Sequence, residues 1–115
     1  MDALADTLAN GGGTYRIGYL SRDRVTLANG YVVGIAQGTS AIVQIDAPTA
    51  LLDGVMVAIE HAYGSLVGTW IDWTTHTIHV DPVQWVADRE DAIRLGRQNA
   101  QLAIWDVKNA KEITL

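Results

Sequence analysis

The stretch that decides the fold lies in the second half of the chain, where residues 68–81 have the sequence GTWIDWTTHTIHVD. Aromatic and β-branched residues on both sides of a short polar segment are typical of two paired strands. Asp72 begins the polar segment, and its carboxylate can accept the backbone N–H groups two and three residues later. His76 lies where such a turn often needs a positive φ, which His tolerates better than most residues. The stretch therefore predicts a β-hairpin.

The same stretch contains two histidines and two aspartates, which raises the alternative of a metal site. His76 and His79 are an odd number of positions apart, so on one straight strand their side chains would point to opposite faces. His79 and Asp81 share a face, and Asp72 could approach from the paired strand, but this leaves an incomplete ligand set. We therefore favour the turn over a metal site, and we predict no metal and no cofactor.

The composition argues against several classes of protein. The 115 residues contain no cysteine, so disulfides and thiolate metal sites are excluded. The net charge is −5, whereas proteins that bind nucleic acid through its phosphates usually carry a basic surplus. The acidic balance serves solubility or complements a partner with a basic face. Since the sequence shows neither a signal peptide nor a long apolar run, we expect a cytoplasmic protein that contacts no membrane.

Two segments predict helices. Residues 46–49 (DAPT) are typical of a helix start, and we expect this central helix to run to about Tyr63. Asp88 is suited to cap a second helix that ends at Asn99. The central helix is expected to be amphipathic, because its apolar residues recur at spacings of three and four and form one stripe, consisting of Leu51, Leu52, Val55, Met56, Ile59 and Tyr63.

The remaining β-like segments complete the predicted architecture. Residues 31–36 and 40–45 flank a short loop and predict a second hairpin. Pro82 indicates the edge or the end of a strand. We predict a single α+β domain over residues 1–115, with residues 1–13 as a flexible N-terminal segment. Its antiparallel sheet of hairpins would be covered by the central amphipathic helix and by a second, C-terminal helix.

Exposed aromatic and cationic side chains are the candidates for contact with a partner. Trp73 lies at the predicted turn, where a large ring either stays exposed as a binding residue or packs on its own sheet. Arg94 and Arg97 are three apart and share a helix face, with Arg89 nearby. These arginines could bind a phosphate or a carboxylate, or could form a solvated face paired with neighbouring acids. The other tryptophans are expected in the core or at its margin: Trp70, Trp85 and Trp105.

Several stretches of the sequence resemble a group of small uncharacterised proteins of actinobacteria and their phages and mobile elements. These stretches are GGTY at residues 12–15, GYVV at 30–33, VGTWID at 67–72, VADREDAIRLGR at 86–97 and QLAIWD at 101–106. Proteins of that group tend to carry Asp-Pro-x-Thr-Gly at the hairpin. Here Trp73 replaces the Pro and His76 replaces the Gly, so the resemblance supports the turn. It implies a phage or mobile-element context and no catalytic residue.

Together these features predict a non-enzymatic phage or mobile-element accessory protein that acts by protein–protein binding, with Trp73, Arg89, Arg94 and Arg97 as the contact residues. The alternative is a small-ligand or nucleotide-binding module that uses Arg94 and Arg97. A metal-dependent small enzyme built on His76, His79 and Asp81 has the weakest support. Unpaired edge strands would also allow a homo-oligomer.

Overall fold

The computed structural model describes residues 2–18, 21–37 and 41–115. In these ranges the chain forms three helices and eight strands. The helices are α1 (Ala3–Asn10), α2 (Thr49–Tyr63) and α3 (Arg89–Gln98). The strands are β1 (Gly12–Ile17), β2 (Arg22–Arg24), β3 (Tyr31–Gly34), β4 (Ala41–Gln44), β5 (Leu66–Asp72), β6 (Thr77–Val86), β7 (Ala103–Asp106) and β8 (Lys111–Thr114).

All strands join one antiparallel sheet in the order β2-β1-β5-β6-β3-β7-β8, and β4 also pairs with β6. The predicted α+β class is therefore confirmed. The ten-residue strand β6 is central. One of its edges pairs with β5, and its other edge pairs first with β4, along residues 77–80, and then with β3, along residues 83–86.

The predicted hairpin between residues 31–36 and 40–45 is wrong. Strands β3 and β4 share no pairing in the described part of the chain; Ser40 lies outside it. Each strand instead extends a different half of β6, because each contributes to a different core. Val33 packs in the core under α3, whereas Val43 packs in the core under α2.

Pro82 lies inside β6 and not at an edge or an end. Its carbonyl accepts the backbone N–H of Ile35. In a strand, the nitrogen and carbonyl of one residue point to the same side. The nitrogen of Pro82, which carries no hydrogen, therefore faces the gap between β4 and β3, where no hydrogen bond of the sheet is lost.

All three helices cover the same face of the sheet. Ile78 and Val80 of β6 belong to the core under α1 and α2, and Val86 of the same strand packs against the core under α3. These residues are an even number of positions apart, so their side chains point to one side. Of the predicted stripe of α2, three residues are buried, whereas Leu51 and Tyr63 are exposed; the buried ones are Leu52, Met56 and Ile59.

The predicted turn and helix ends are confirmed. The Asp72 carboxylate accepts the N–H groups of Thr74 at 2.9 Å and Thr75 at 3.3 Å, and His76 has a φ of 55°. Asp88 caps α3 by accepting the N–H of Asp91 at 3.0 Å. Helix α2 runs to Tyr63, as expected, and Gly64 follows it as its C-cap; Asn99, the expected end of α3, is the C-cap of that helix.

Within residues 1–13, expected to be a flexible segment, the structure shows helix α1 and the start of β1. Asp2 caps α1 by accepting the N–H of Ala5 at 3.1 Å. Ala3 and Thr7 are fully buried against the sheet. No helix in the described ranges is long and apolar enough to span a membrane.

Candidate functional site

The face of the sheet opposite the helices is not covered by any described element, and we call it the open face. Strand β5 shows why it exists, because burial alternates strictly along Val67, Gly68, Thr69, Trp70 and Ile71. The odd-numbered residues of this run point to the core, and the even-numbered ones point to the open face. By the same alternation and the strand register, the open face carries Thr14, Val32, Gly34, Ile42, Gly68, Trp70, His79, Asp81, Val83, Trp85, Ala103, Trp105 and Glu112.

One row of side chains crosses the open face near the β5–β6 hairpin. Trp70, His79 and Ile42 are directly opposed across β5, β6 and β4. The rings of Trp70 and His79 stack with their centroids 4.0 Å apart and their planes 11° apart. The Nδ1 atom of His79 is buried and has no hydrogen-bond partner among the described residues. The stack holds the Trp70 ring upright, so that it stays half exposed.

A second row crosses the other end of the open face. It joins Trp85, Val32, Trp105 and Glu112 across β6, β3, β7 and β8. The indole N–H of Trp85 donates to the carbonyl of Asn29 at 2.7 Å, which fixes this ring. The exposed fractions are 37% for Trp85 and 42% for Trp105, against 49% for Trp70 in the first row.

Glycine at position 30 is required by the position of the Trp85 ring. Gly30 has a φ of +80°, and a Cβ atom there would lie within 2.7 Å of three atoms of that ring. The turn before β3 can therefore lie this close to the indole only if residue 30 is glycine.

Between the two rows the open face forms a depression of about 660 Å³. Gly34 and Gly68 form part of its lining, and neither contributes a side chain that would fill it. Gln101 lies over Gly34, and its side-chain amide donates to the carbonyls of Ala36 at 2.6 Å and Asn99 at 3.1 Å. These bonds fix one rim of the depression. Trp70 and Trp105 also line it, one from each row.

The charges that line the depression are mainly acidic. Asp81 and Glu112 both contribute to its lining. Arg24 lies at its edge, but the Arg24 guanidinium donates to the Asp6 carboxylate at 2.7 Å and to the carbonyl of Gly12 at 2.7 Å. Asp6 therefore offsets the charge of Arg24, so the lining carries no excess of positive charge.

A polar network lies behind the sheet, beneath α1. The Tyr15 hydroxyl donates to the Asp6 carboxylate and lies 3.0 Å from the Thr7 hydroxyl, and Thr7 lies 2.9 Å from the Thr69 hydroxyl. Burial raises the pKa of Tyr15, and its bond to Asp6 raises it further. Burial also acts to raise the pKa of Asp6, but the hydrogen bonds from Tyr15 and Arg24 and the Arg24 charge outweigh it and lower that pKa. Tyr15 is 0% exposed, so its hydroxyl ties α1 to the sheet and cannot contact a substrate.

Comparisons of the chain with protein-family models, with curated proteins and with solved structures find no match.

The structure does not bring the predicted contact residues together. Trp73 is 58% exposed at the tip of the β5–β6 hairpin, before the start of β6, whereas Arg89 follows the end of β6. Ten residues of strand separate these two places by about 30 Å. Arg94 forms an ion pair with Asp91 at 3.0 Å on the exposed surface of α3. Trp73, Arg89, Arg94 and Arg97 all lie outside the lining of the depression.

The histidines are likewise separated. His76 is exposed in the turn, whereas His79 is stacked on Trp70 within the open face. Across residues 2–18, 21–37 and 41–115, no group of three or more His, Asp or Glu side chains is arranged to hold a metal ion.

Three tryptophans that were expected in the core or at its margin lie on the open face. The structure places Trp70, Trp85 and Trp105 on the side of the sheet away from the core. The sequence carries a partial signal for Trp70 alone, which is out of phase with the apolar Val67 and Ile71 of β5 and so must lie on the opposite face from both.

Proposed function

We propose that this protein is a non-enzymatic binding protein and that it captures a segment of another protein on its open face. The observation that carries the proposal is that Trp70, Trp85 and Trp105 are 37–49% exposed on one uncovered face. Tryptophan is among the residues that most often dominate the energy of protein interfaces. A phage or mobile-element accessory role is part of the proposal and is supported by the sequence resemblance alone.

The shape and charge of the open face favour a protein segment over other partners. Its five central strands, β1, β5, β6, β3 and β7, span about 20 Å, which suits an extended or helical segment. Nucleic acid is disfavoured by Asp81 and Glu112 and by the net charge of −5. A nucleotide-binding role for Arg94 and Arg97 has weaker support, because Arg94 is already paired with Asp91.

The experiment is selection of a random 12-residue peptide library, displayed on phage, against the immobilised protein. The wild type is compared with a double variant, Trp70→Ala with Trp105→Ala, and with Trp73→Ala as a matched control. Trp73 is exposed like the other two but lies off the open face. The melting temperature of each variant establishes that it is folded.

We expect the wild type and Trp73→Ala to enrich the same peptides, and the folded double variant to enrich none of them. Enrichment of the same peptides by the double variant would show that the binding site lies away from the open face. Loss of enrichment in Trp73→Ala alone would make the hairpin tip the contact surface. Failure of the wild type to enrich any peptide would contradict peptide capture altogether.

A further inference from the structure

We infer that the bound segment presents a cationic side chain, arginine or lysine, to the part of the depression beside Trp105 and Glu112. The inference rests on the proposed function and specifies the chemistry of the partner. It combines two properties of the same surface: aromatic side chains that line the depression from both rows, and carboxylates among them.

The aromatic side chains are suited to hold a cation. The face of an indole ring carries partial negative charge, so an ammonium or guanidinium group placed over it is attracted. Trp105 is 42% exposed, so part of its ring is open to such a group. An arginine side chain can stack flat on such a ring while its N–H groups reach a carboxylate.

The carboxylate of Glu112 is placed to complete this contact. Glu112 is the direct cross-strand neighbour of Trp105 on the open face. It lines the depression, and the charge of Arg24 at the edge is offset by Asp6. The net charge of −5 would also attract a basic partner from a distance.

The size of the depression is consistent with a side chain as occupant. Pockets that hold small ligands usually measure about 300–1,000 Å³, and this depression measures about 660 Å³. Gln101 fixes the rim of the depression on the side of Gly34. We place the cationic group over the exposed part of the Trp105 ring, next to Glu112.

The experiment uses the peptides enriched by the wild type. The tightest one is synthesised together with a neutral analogue, in which citrulline replaces each arginine and norleucine replaces each lysine. Dissociation constants are measured for the wild type and for two matched variants. Glu112→Gln neutralises an exposed acid that lines the depression, and Glu90→Gln neutralises an exposed acid on α3.

We expect the neutral analogue to bind the wild type at least about fivefold more weakly, with a similar loss for the charged peptide on Glu112→Gln and no loss on Glu90→Gln. The two losses of affinity should not add when the neutral analogue binds Glu112→Gln, because both changes remove the same contact. Raising the salt concentration should weaken the charged peptide more than the neutral one. If restoring arginine alone or lysine alone recovers the affinity, that residue is the occupant.

Two results would overturn the inference while leaving the proposed function intact. One is that peptides enriched through Trp70 and Trp105 carry no excess of arginine or lysine. The other is that the neutral analogue binds as tightly as the charged peptide. A concentration-dependent dimer that Trp70→Ala dissociates would instead make a second copy of this chain the occupant of the open face.

Discussion

Replacing Tyr15 by phenylalanine should destabilise the protein by about 2 kcal/mol. The Tyr15 side chain is completely buried, and its hydroxyl donates to the Asp6 carboxylate and contacts the Thr7 hydroxyl at 3.0 Å. Hydrogen bonds to charged groups contribute about 1.5–3 kcal/mol, and the phenylalanine ring would fill the same space without restoring the bond. The change also removes one of the links that hold α1 on the sheet.

This loss should be measurable as a shift in the melting temperature. Unfolding entropy is about 2.1 cal/mol/K per residue, which for 115 residues amounts to about 0.24 kcal/mol/K. A loss of about 2 kcal/mol then lowers the melting temperature by about 8 °C. The matched control is Tyr63→Phe, because Tyr63 is half exposed at the end of α2 and should tolerate the change. Scanning calorimetry at neutral pH measures both variants.

The stability difference should also depend on pH at the alkaline end. The pKa of Tyr15 in the folded state is raised above its ordinary value of 10.0, by burial first and then by the bond to Asp6. The stability contributed by the protonated hydroxyl is therefore present below pH 10 and is lost as the pH rises through the folded-state pKa. The wild type should approach Tyr15→Phe in stability above pH 10. A phenylalanine variant with the same melting temperature as the wild type at neutral pH would show that the bond from Tyr15 to Asp6 does not stabilise the fold.

The pKa of Asp6 is lowered from 3.8, so acid should remove the stability that its carboxylate contributes. In urea titrations, the free energy of unfolding lost in Asp6→Asn should be constant above pH 4 and should shrink as the pH falls below 3.8. A loss that stays constant at low pH would contradict this prediction. His76→Gly should stabilise the protein by about 0.5–1 kcal/mol, because the φ of 55° at this position suits glycine. The control Ala58→Gly in α2 should destabilise the protein. A lower urea midpoint for His76→Gly would count against the turn geometry. Asp88→Ala should cost about 1 kcal/mol through loss of the α3 cap, measured by the same titration, and an unchanged midpoint would show that the cap is unimportant. His79→Phe should keep the ring stack on Trp70 and remove the buried Nδ1 atom that has no hydrogen-bond partner, so the urea midpoint should rise. A lower urea midpoint would mean that this nitrogen forms a hydrogen bond in solution.

The features that the sequence predicted correctly depend on short-range chemistry. The turn after β5 follows from Asp72 and from the tolerance of His76 for a positive φ, and both lie within five residues of each other. The end of α2 at Tyr63 and the cap of α3 at Asp88 are also local. In each case the side chain and the backbone groups that it satisfies are close in sequence, so tertiary structure was not needed to recognise them.

The errors concern contacts between distant segments. Nothing in residues 31–45 indicates that β3 and β4 both pair with β6, because that choice depends on which core buries Val33 and which buries Val43. The same pairing creates the gap that accepts Pro82 inside a central strand. Alternation predicts two faces for each strand but not which face the helices cover. The exposure of the tryptophans therefore could not be derived without the packing of α1, α2 and α3.

Binding of a protein segment on the open face is tested most directly by the indole N–H signals of the four tryptophans in a ¹H–¹⁵N correlation spectrum. Each signal is assigned with a Trp→Phe variant, and an enriched peptide is then titrated into the labelled protein. If the peptide binds on the open face, the signals of Trp70 and Trp105 will shift in proportion to binding while that of Trp73 stays in place. A shift of Trp73 with Trp70 and Trp105 unmoved would contradict binding on the open face.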